Sequence, residues 1–170
     1  TYYDAYEFNS VSLRFFNVAG ADSDSEMGQA PNATHIIAKA IERTLAGKGF
    51  VLNGNDFDTP DGTCVRDYVH VEDVAQGILN SIELLNNSGG AYTFNLGGER
   101  GYSNLEIINS INKVTPLNIE LEYGPARAGD PGTLISDPSA ANDMLQWKAT
   151  HNLDSIIKTA YNWYTKEEVS

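Results

Sequence analysis

The segment Gly62-Thr63-Cys64-Val65-Arg66-Asp67-Tyr68-Val69-His70-Val71-Glu72-Asp73-Val74 passes from a glycine turn, through a strand-like run over Asp67 to Val71, into an acidic helix start. Carboxylates in a first turn complement the helix dipole. The period continues to Leu85, with Val74, Ala75, Ile78, Ile82 and Leu85 spaced to share one apolar face. A strand feeding directly into an amphipathic helix is half of a βαβ unit. The expected fold is therefore α/β, with at least part of the sheet parallel.

The same alternation extends outward in both directions. Upstream, Thr1 to Phe8 reads as the end of a helix, Ser12 to Val18 as a strand stopped by Ala19-Gly20, and Ala21 to Pro31 as a polar loop. Asn32 to Ala46 then places Ile36, Ile37, Ala40, Ile41 and Leu45 on one helical face, ending at Gly47. Strand-like runs follow at Phe50 to Leu52, Tyr92 to Leu96 and Ile119 to Tyr123. Ser103-Asn104-Leu105-Glu106 is a capping box ahead of Ile107, Ile108 and Ile111. A short helix is expected at Asp137-Pro138, and a last one from Leu153 to Lys166 burying Ile156, Ile157, Ala160 and Trp163.

Composition narrows the function classes. The 170 residues carry 11 basic and 23 acidic side chains, a formal charge of −12, which argues against nucleic acid and anionic lipid as partners. No apolar run reaches the roughly 20 residues of a membrane helix. A single cysteine cannot form an intrachain disulfide, so a reducing, cytoplasmic setting is expected. A small anion could still bind where a few arginines and backbone amides overcome the general field.

Candidate chemistry is sparse. Asn95-Leu96-Gly97-Gly98-Glu99-Arg100-Gly101 follows a strand and opens a helix, but its glycines lack dinucleotide-fingerprint spacing, so a tight turn is the favoured reading. Arg66 stands at the mouth of a strand and Arg127 in the Gly- and Pro-rich stretch Gly124 to Gly132. Each could chelate a phosphate through its planar fork or pair with a neighbouring acid, Asp67 or Asp130. His35 and His70 lack metal-ligand spacing, and Cys64 reads as a packing residue. No metal is expected.

In chain order, Arg14-Phe15-Phe16-Asn17-Val18-Ala19-Gly20-Ala21-Asp22, Pro31-Asn32-Ala33-Thr34-His35, the block Gly54 to Val71, Asn95-Leu96-Gly97 and Arg127-Ala128-Gly129-Asp130 form a recognisable series. Together they resemble the C-terminal half of the UDP-glucose 4-epimerases, extended short-chain dehydrogenase/reductases. The likeness runs from about Val11 to the end. It implies the last strands of a Rossmann-type sheet plus a small mixed α/β substrate domain. Residues 1–20 would close the dinucleotide-binding domain, 21–170 would be mainly the UDP-sugar-binding domain, and 92–97 would return to the Rossmann-type sheet.

The resemblance further implies NAD as cofactor, with Phe16 near the nicotinamide. It places Asn17 and Thr34 by the substrate phosphates, Val51 and Asn53 where uracil is gripped, Arg66 and Arg127 on the diphosphate, and Asp130 at the uridine ribose. Leu134 falls where members vary between bulky and small residues, a choice linked to admitting N-acetylated sugars. The implied activity is interconversion of UDP-glucose and UDP-galactose through a 4-keto intermediate, in galactose metabolism, by a homodimer. No Tyr here is followed by Lys four positions later, and the Gly-rich NAD loop is missing, so no catalytic residue is expected in this chain. Two readings stand: the substrate-anchoring portion of a UDP-glucose 4-epimerase, or, as the alternative, a free-standing non-catalytic nucleotide-sugar-binding module or another sugar-nucleotide epimerase or dehydratase. In either, two arginines on one diphosphate would contribute roughly 3–6 kcal/mol, about two to four decades of affinity.

Overall fold

The computed structural model describes residues 2–166, so Thr1 and the ends of the ranges expected to reach residue 170 lie outside it. The elements are α1 (Tyr2–Tyr6), β1 (Ser10–Phe15), β2 (Asn17–Ala19), α2 (Ile36–Leu45), β3 (Phe50–Asn53), β4 (Val65–His70) and α3 (Val71–Ser88). They continue as β5 (Ala91–Leu96), β6 (Gly101–Ser103), α4 (Asn104–Val114), β7 (Leu121–Gly124), β8 (Thr133–Leu134), α5 (Ser139–Leu145) and α6 (Leu153–Thr165). The α/β expectation holds. Parallel pairs join β1 to β5, β2 to β4, β3 to β7 and β4 to β8, while β4 and β6 run antiparallel.

Strand β4 divides the hydrophobic interior because successive side chains point to opposite faces. Tyr68 joins a cluster in which α2, α4 and α6 contribute Ile37, Ile41, Ile107, Ile111, Ile156 and Ile157. Its neighbour Val69 joins the second cluster, with Val74, Phe94, Leu96, Leu145 and Trp147. Two cores therefore share one strand, and that strand carries Arg66 and Asp67.

Three local expectations need correction. The single strand expected over Ser12 to Val18 is two: β1 pairs with β5 as far as Phe15, Phe16 N–H donates to Leu96 O, and β2 then pairs with β4. Phe16 marks the changeover. Helix α2 starts at Ile36 rather than Asn32, because Asn32 adopts a left-handed φ of 66° and the amides of Asn32 and Ala33 donate to the Glu42 carboxylate. Third, α3 does not bury the face its period suggested. Its buried residues are Asp73, Val74, Gly77 and Ser81, whereas Ile78 and Ile82 are 41% and 52% exposed. Gly77 and Ser81 are small enough to let the helix close on the β5 layer: a Cβ on Gly77 would lie 2.6 Å from Leu96 Cδ1. Asp73 goes inside because its carboxylate accepts from Thr150 and His151.

The capping box forms in full. Ser103 Oγ accepts from Glu106 N at 3.0 Å, and Glu106 Oε2 accepts from Ser103 N at 2.7 Å. Pro138 N-caps α5, so that helix begins one residue after the expected pair.

Candidate functional site

The segment leading into β4 is fixed by side chains before any ligand is considered. The Asp61 carboxylate accepts from Thr63 N, Thr63 Oγ1 and Ser103 Oγ. Partial burial raises the Asp61 pKa, but these bonds outweigh it and hold the group below the ordinary carboxylate range. Thr63 Oγ1 in turn accepts from Leu105 N, and Cys64 O from Asn104 N. Gly62, at φ 77°, makes a turn that a side chain could not, since a Cβ there would fall on the Asn55 carbonyl.

Arg66 follows, half-buried, paired in register with Tyr102 on β6 and Leu134 on β8. Its Nη1 donates to Val65 O at 2.9 Å and Gly132 O at 3.4 Å, which fixes the guanidinium against the loop before β8. Arg127 lies exposed on that loop, residues 125–132. Its Nε and Nη2 donate to Asn53 Oδ1 at 3.0 and 3.1 Å, with the amide oriented so that its oxygen faces the guanidinium. Among the described residues, neither arginine pairs with a carboxylate. Asp67, the partner available to Arg66 in sequence, is buried and accepts instead from Gly98 N at 2.6 Å, Ser136 N at 3.0 Å and Ser136 Oγ. Two guanidinium groups without a direct ion pair among the described residues thus stand in a strongly acidic chain.

They share a cleft. A cavity of about 230 Å³ is lined by Thr34, Val51, Asn53, Arg66, Arg127 and Asp130, with Ile36, Lys39, Phe50, Leu52, Cys64 and Asn104 completing its walls. Six of the residues singled out from sequence therefore converge, although they come from a loop, two strands and a second loop. Phe16, Asn17 and Leu134 do not line it. Phe16 sits at the β1–β2 changeover, Asn17 Nδ2 donates to Asp67 O at 3.1 Å, and Leu134 is 49% exposed on β8 beside Arg66.

Lys39, Cys64 and Asn104 were not legible as lining residues. Lys39 follows the helical period of α2 and carries no motif, and Asn104 reads only as a helix residue beside its cap. Cys64 is indeed buried, and burial pushes its thiol pKa up, so it contributes a wall and not a nucleophile.

Other clusters are structural. Gly97 and Gly98 press on protein: a Cβ on Gly97 would fall on Ser136, and one on Gly98 would lie 2.6 Å from Tyr68 O. The turn reading of that glycine pair is the one the packing supports. His70, Glu72 and His151 bring possible ligand atoms within 4.8 Å of one another. However, the His70 and His151 rings stack at 4.0 Å, His70 Nδ1 accepts from Glu72 N, and His70 Nε2 bonds Thr159 Oγ1. Both His70 nitrogens are occupied, Nδ1 in capping the start of α3 and Nε2 on Thr159 of α6, so the ring is held by protein groups. No helix among the described residues is long and apolar enough to cross a membrane.

Comparison with known proteins agrees with this architecture. The model of the NAD dependent epimerase/dehydratase family matches residues 1–97. A UDP-glucose 4-epimerase of Lactobacillus helveticus is 44% identical over 158 residues, which is 91% of this chain and 48% of that protein. Among solved structures, UDP-glucose 4-epimerase from Brucella ovis in complex with NAD superposes with a TM-score of 0.90 at 38% identity, covering 98% of this chain and 52% of that one. The enzyme from Bifidobacterium longum in complex with NAD+ and UDP gives 0.88 at 34% identity, covering 96% and 50%. The chain thus spans about half the length of the relatives it matches. With its first helix, β1 to β5 and the intervening helices inside the matched region, the chain belongs to the NAD dependent epimerase/dehydratase family.

Proposed function

We propose that this chain is the substrate-anchoring half of a UDP-glucose 4-epimerase, acting on UDP-glucose and UDP-galactose in cytoplasmic galactose metabolism as part of a homodimer. The observation that carries the proposal is the shared cleft of Arg66 and Arg127, neither of which pairs with a carboxylate among the described residues. A diphosphate is the ligand whose charge matches two guanidinium forks at one site. In this reading Arg66, Arg127 and the segment at Thr34 take the diphosphate, with Asn17 behind them. Val51 and Asn53 face uracil, Asp130 takes the ribose, and Leu134 bears on the sugar.

The anchoring role suits the chemistry. A sugar that is oxidised at C4, turned over and reduced again must stay loose while its nucleotide is held firmly. Binding energy is then best placed on the nucleotide, away from the reacting carbon. NAD supplies the hydride acceptor and donor in such an enzyme. The paired glycines Gly97 and Gly98 are packed on Ser136 and Tyr68, so this turn leaves no room for a pyrophosphate. Phe16 would contribute only an edge. The exposed apolar side chains of Phe8, Phe15, Ile78, Leu79 and Ile82 are the surface that an N-terminal nucleotide-binding half would cover.

The test is direct. The full-length protein, loaded with NAD, is expected to convert UDP-galactose to UDP-glucose and to bind UDP in calorimetry. Failure of both on folded, NAD-loaded protein would refute the assignment.

A further inference from the structure

The strongest feature not used by the site's assigned roles is the way Arg127 is held. An arginine on an exposed loop loses considerable rotamer freedom when it binds an anion. Arg127 is spared much of that loss, because Asn53 Oδ1 accepts from both Nε and Nη2 and fixes the plane of the guanidinium. The backbone prepares this contact. Asn53 ends β3 in register with Gly124, the last residue of β7, and Gly54 N donates to Gly124 O at 2.9 Å. The chain leaving β7 therefore starts its loop beside the Asn53 side chain. The approach is close at Gly124, where a Cβ would lie 3.0 Å from Val51 Cγ1 and 3.1 Å from the Asn53 amide.

The chemical identity of the holder matters. A carboxylate at this position would grip the same edge, but it would cancel the charge that an incoming anion needs. A neutral amide oxygen orients the fork and leaves its charge intact at the wall of the cleft. We propose that Asn53 is a positioning residue for Arg127, presetting its guanidinium for the β- or α-phosphate of the nucleotide. This inference rests on the diphosphate-site reading given above and assigns Asn53 a second role besides its place near uracil.

A double-mutant cycle in the full-length protein tests it, read as Kd for UDP and for uridine and as KM and kcat for UDP-galactose. Asn53→Ala is expected to weaken UDP more than it weakens uridine, the difference reaching at most the roughly tenfold that loss of one charge-assisted contact predicts. In an Arg127→Ala background the same change should have almost no further effect. Asn53→Asp, which keeps the grip and removes the net charge, should weaken UDP at least as much as Asn53→Ala. Equal losses for UDP and uridine would mean that Asn53 acts on the base, and a full Asn53→Ala loss persisting without Arg127 would mean that it acts elsewhere. Either result overturns the positioning role while leaving the diphosphate site standing. If Arg127→Ala itself leaves UDP binding unchanged, the diphosphate reading fails first. A variant that does not fold is replaced by Asn53→Ser, judged by the same ratios.

Discussion

Replacing Arg127 with alanine in the full-length protein should separate anchoring from chemistry more cleanly than any other single change. Arg127 is exposed, has no carboxylate partner among the described residues, and its guanidinium is held by the Asn53 amide. Its removal therefore leaves one amide oxygen in water and opens no cavity. A charge-assisted hydrogen bond contributes about 1.5–3 kcal/mol net, and exposure to solvent places Arg127 at the low end. That corresponds to roughly a tenfold loss. Because the phosphates are held alike before and during reaction at C4, the loss belongs in KM for UDP-galactose, with kcat within about twofold. Raising the salt should weaken the wild type more than the variant, since screening acts on the charge that the variant lacks. Arg66→Ala offers the contrast. Arg66 is half-buried and donates to Val65 O and Gly132 O, so its loss frees two carbonyls and loosens the β4–β8 contact as well as the ligand. It should raise KM and also lower Tm, whereas Arg127→Ala should leave Tm unchanged. An unchanged KM in Arg127→Ala, or a fall in kcat at constant KM, would show that Arg127 does not anchor the substrate.

Gly77→Ala sets helix propensity against packing: alanine gains about 1 kcal/mol in a helix interior, but the new Cβ would lie 2.6 Å from Leu96 Cδ1 and 3.2 Å from Trp147 Nε1. Both neighbours are buried, overpacking costs about 1–3 kcal/mol, and a lowered urea midpoint is expected. Burial, reinforced by neighbouring His151, depresses the His70 pKa although Glu72 and Asp73 pull the other way. An unfolded histidine titrates near about 6.5, so the stability linked to His70 is complete above that pH and is lost as pH falls through it. Melting curves between pH 7 and pH 5 should slope less in His70→Gln. Asp73 is shifted down despite its burial, held by Thr150 and His151, and its contribution persists until the pH drops below the usual carboxylate range. Asp67→Asn would turn an amide N–H₂ toward Gly98 N or Ser136 N, and a loss of about 2 kcal/mol is expected in denaturant unfolding.

How much of this was legible in sequence depends on the range of the interaction that decides each feature. The capping box of α4 is complete within four residues, and it forms as read. The face of α3 is decided by what lies across from it: Gly77 and Ser81 count as neutral in an apolar period, yet they are the positions that let the helix approach Leu96. Periodicity therefore selected Ile78 and Ile82, the side that this chain by itself leaves uncovered. The site lies further along the same scale. Arg66 and Arg127 are ordinary in their local sequence, and only a resemblance joined them. In the structure they are joined by two parallel registers, Asn53 with Gly124 on β3–β7 and Arg66 with Leu134 on β4–β8. The loop of residues 125–132 leaves the first pair and enters the second, so both of its ends are pinned to strands that line the cleft. A slip of one residue in β3–β7 would turn Asn53 to the opposite face. Arg127 would lose its holder although no residue of its own loop had changed. Strand pairing, not loop composition, makes two isolated arginines into one anion site.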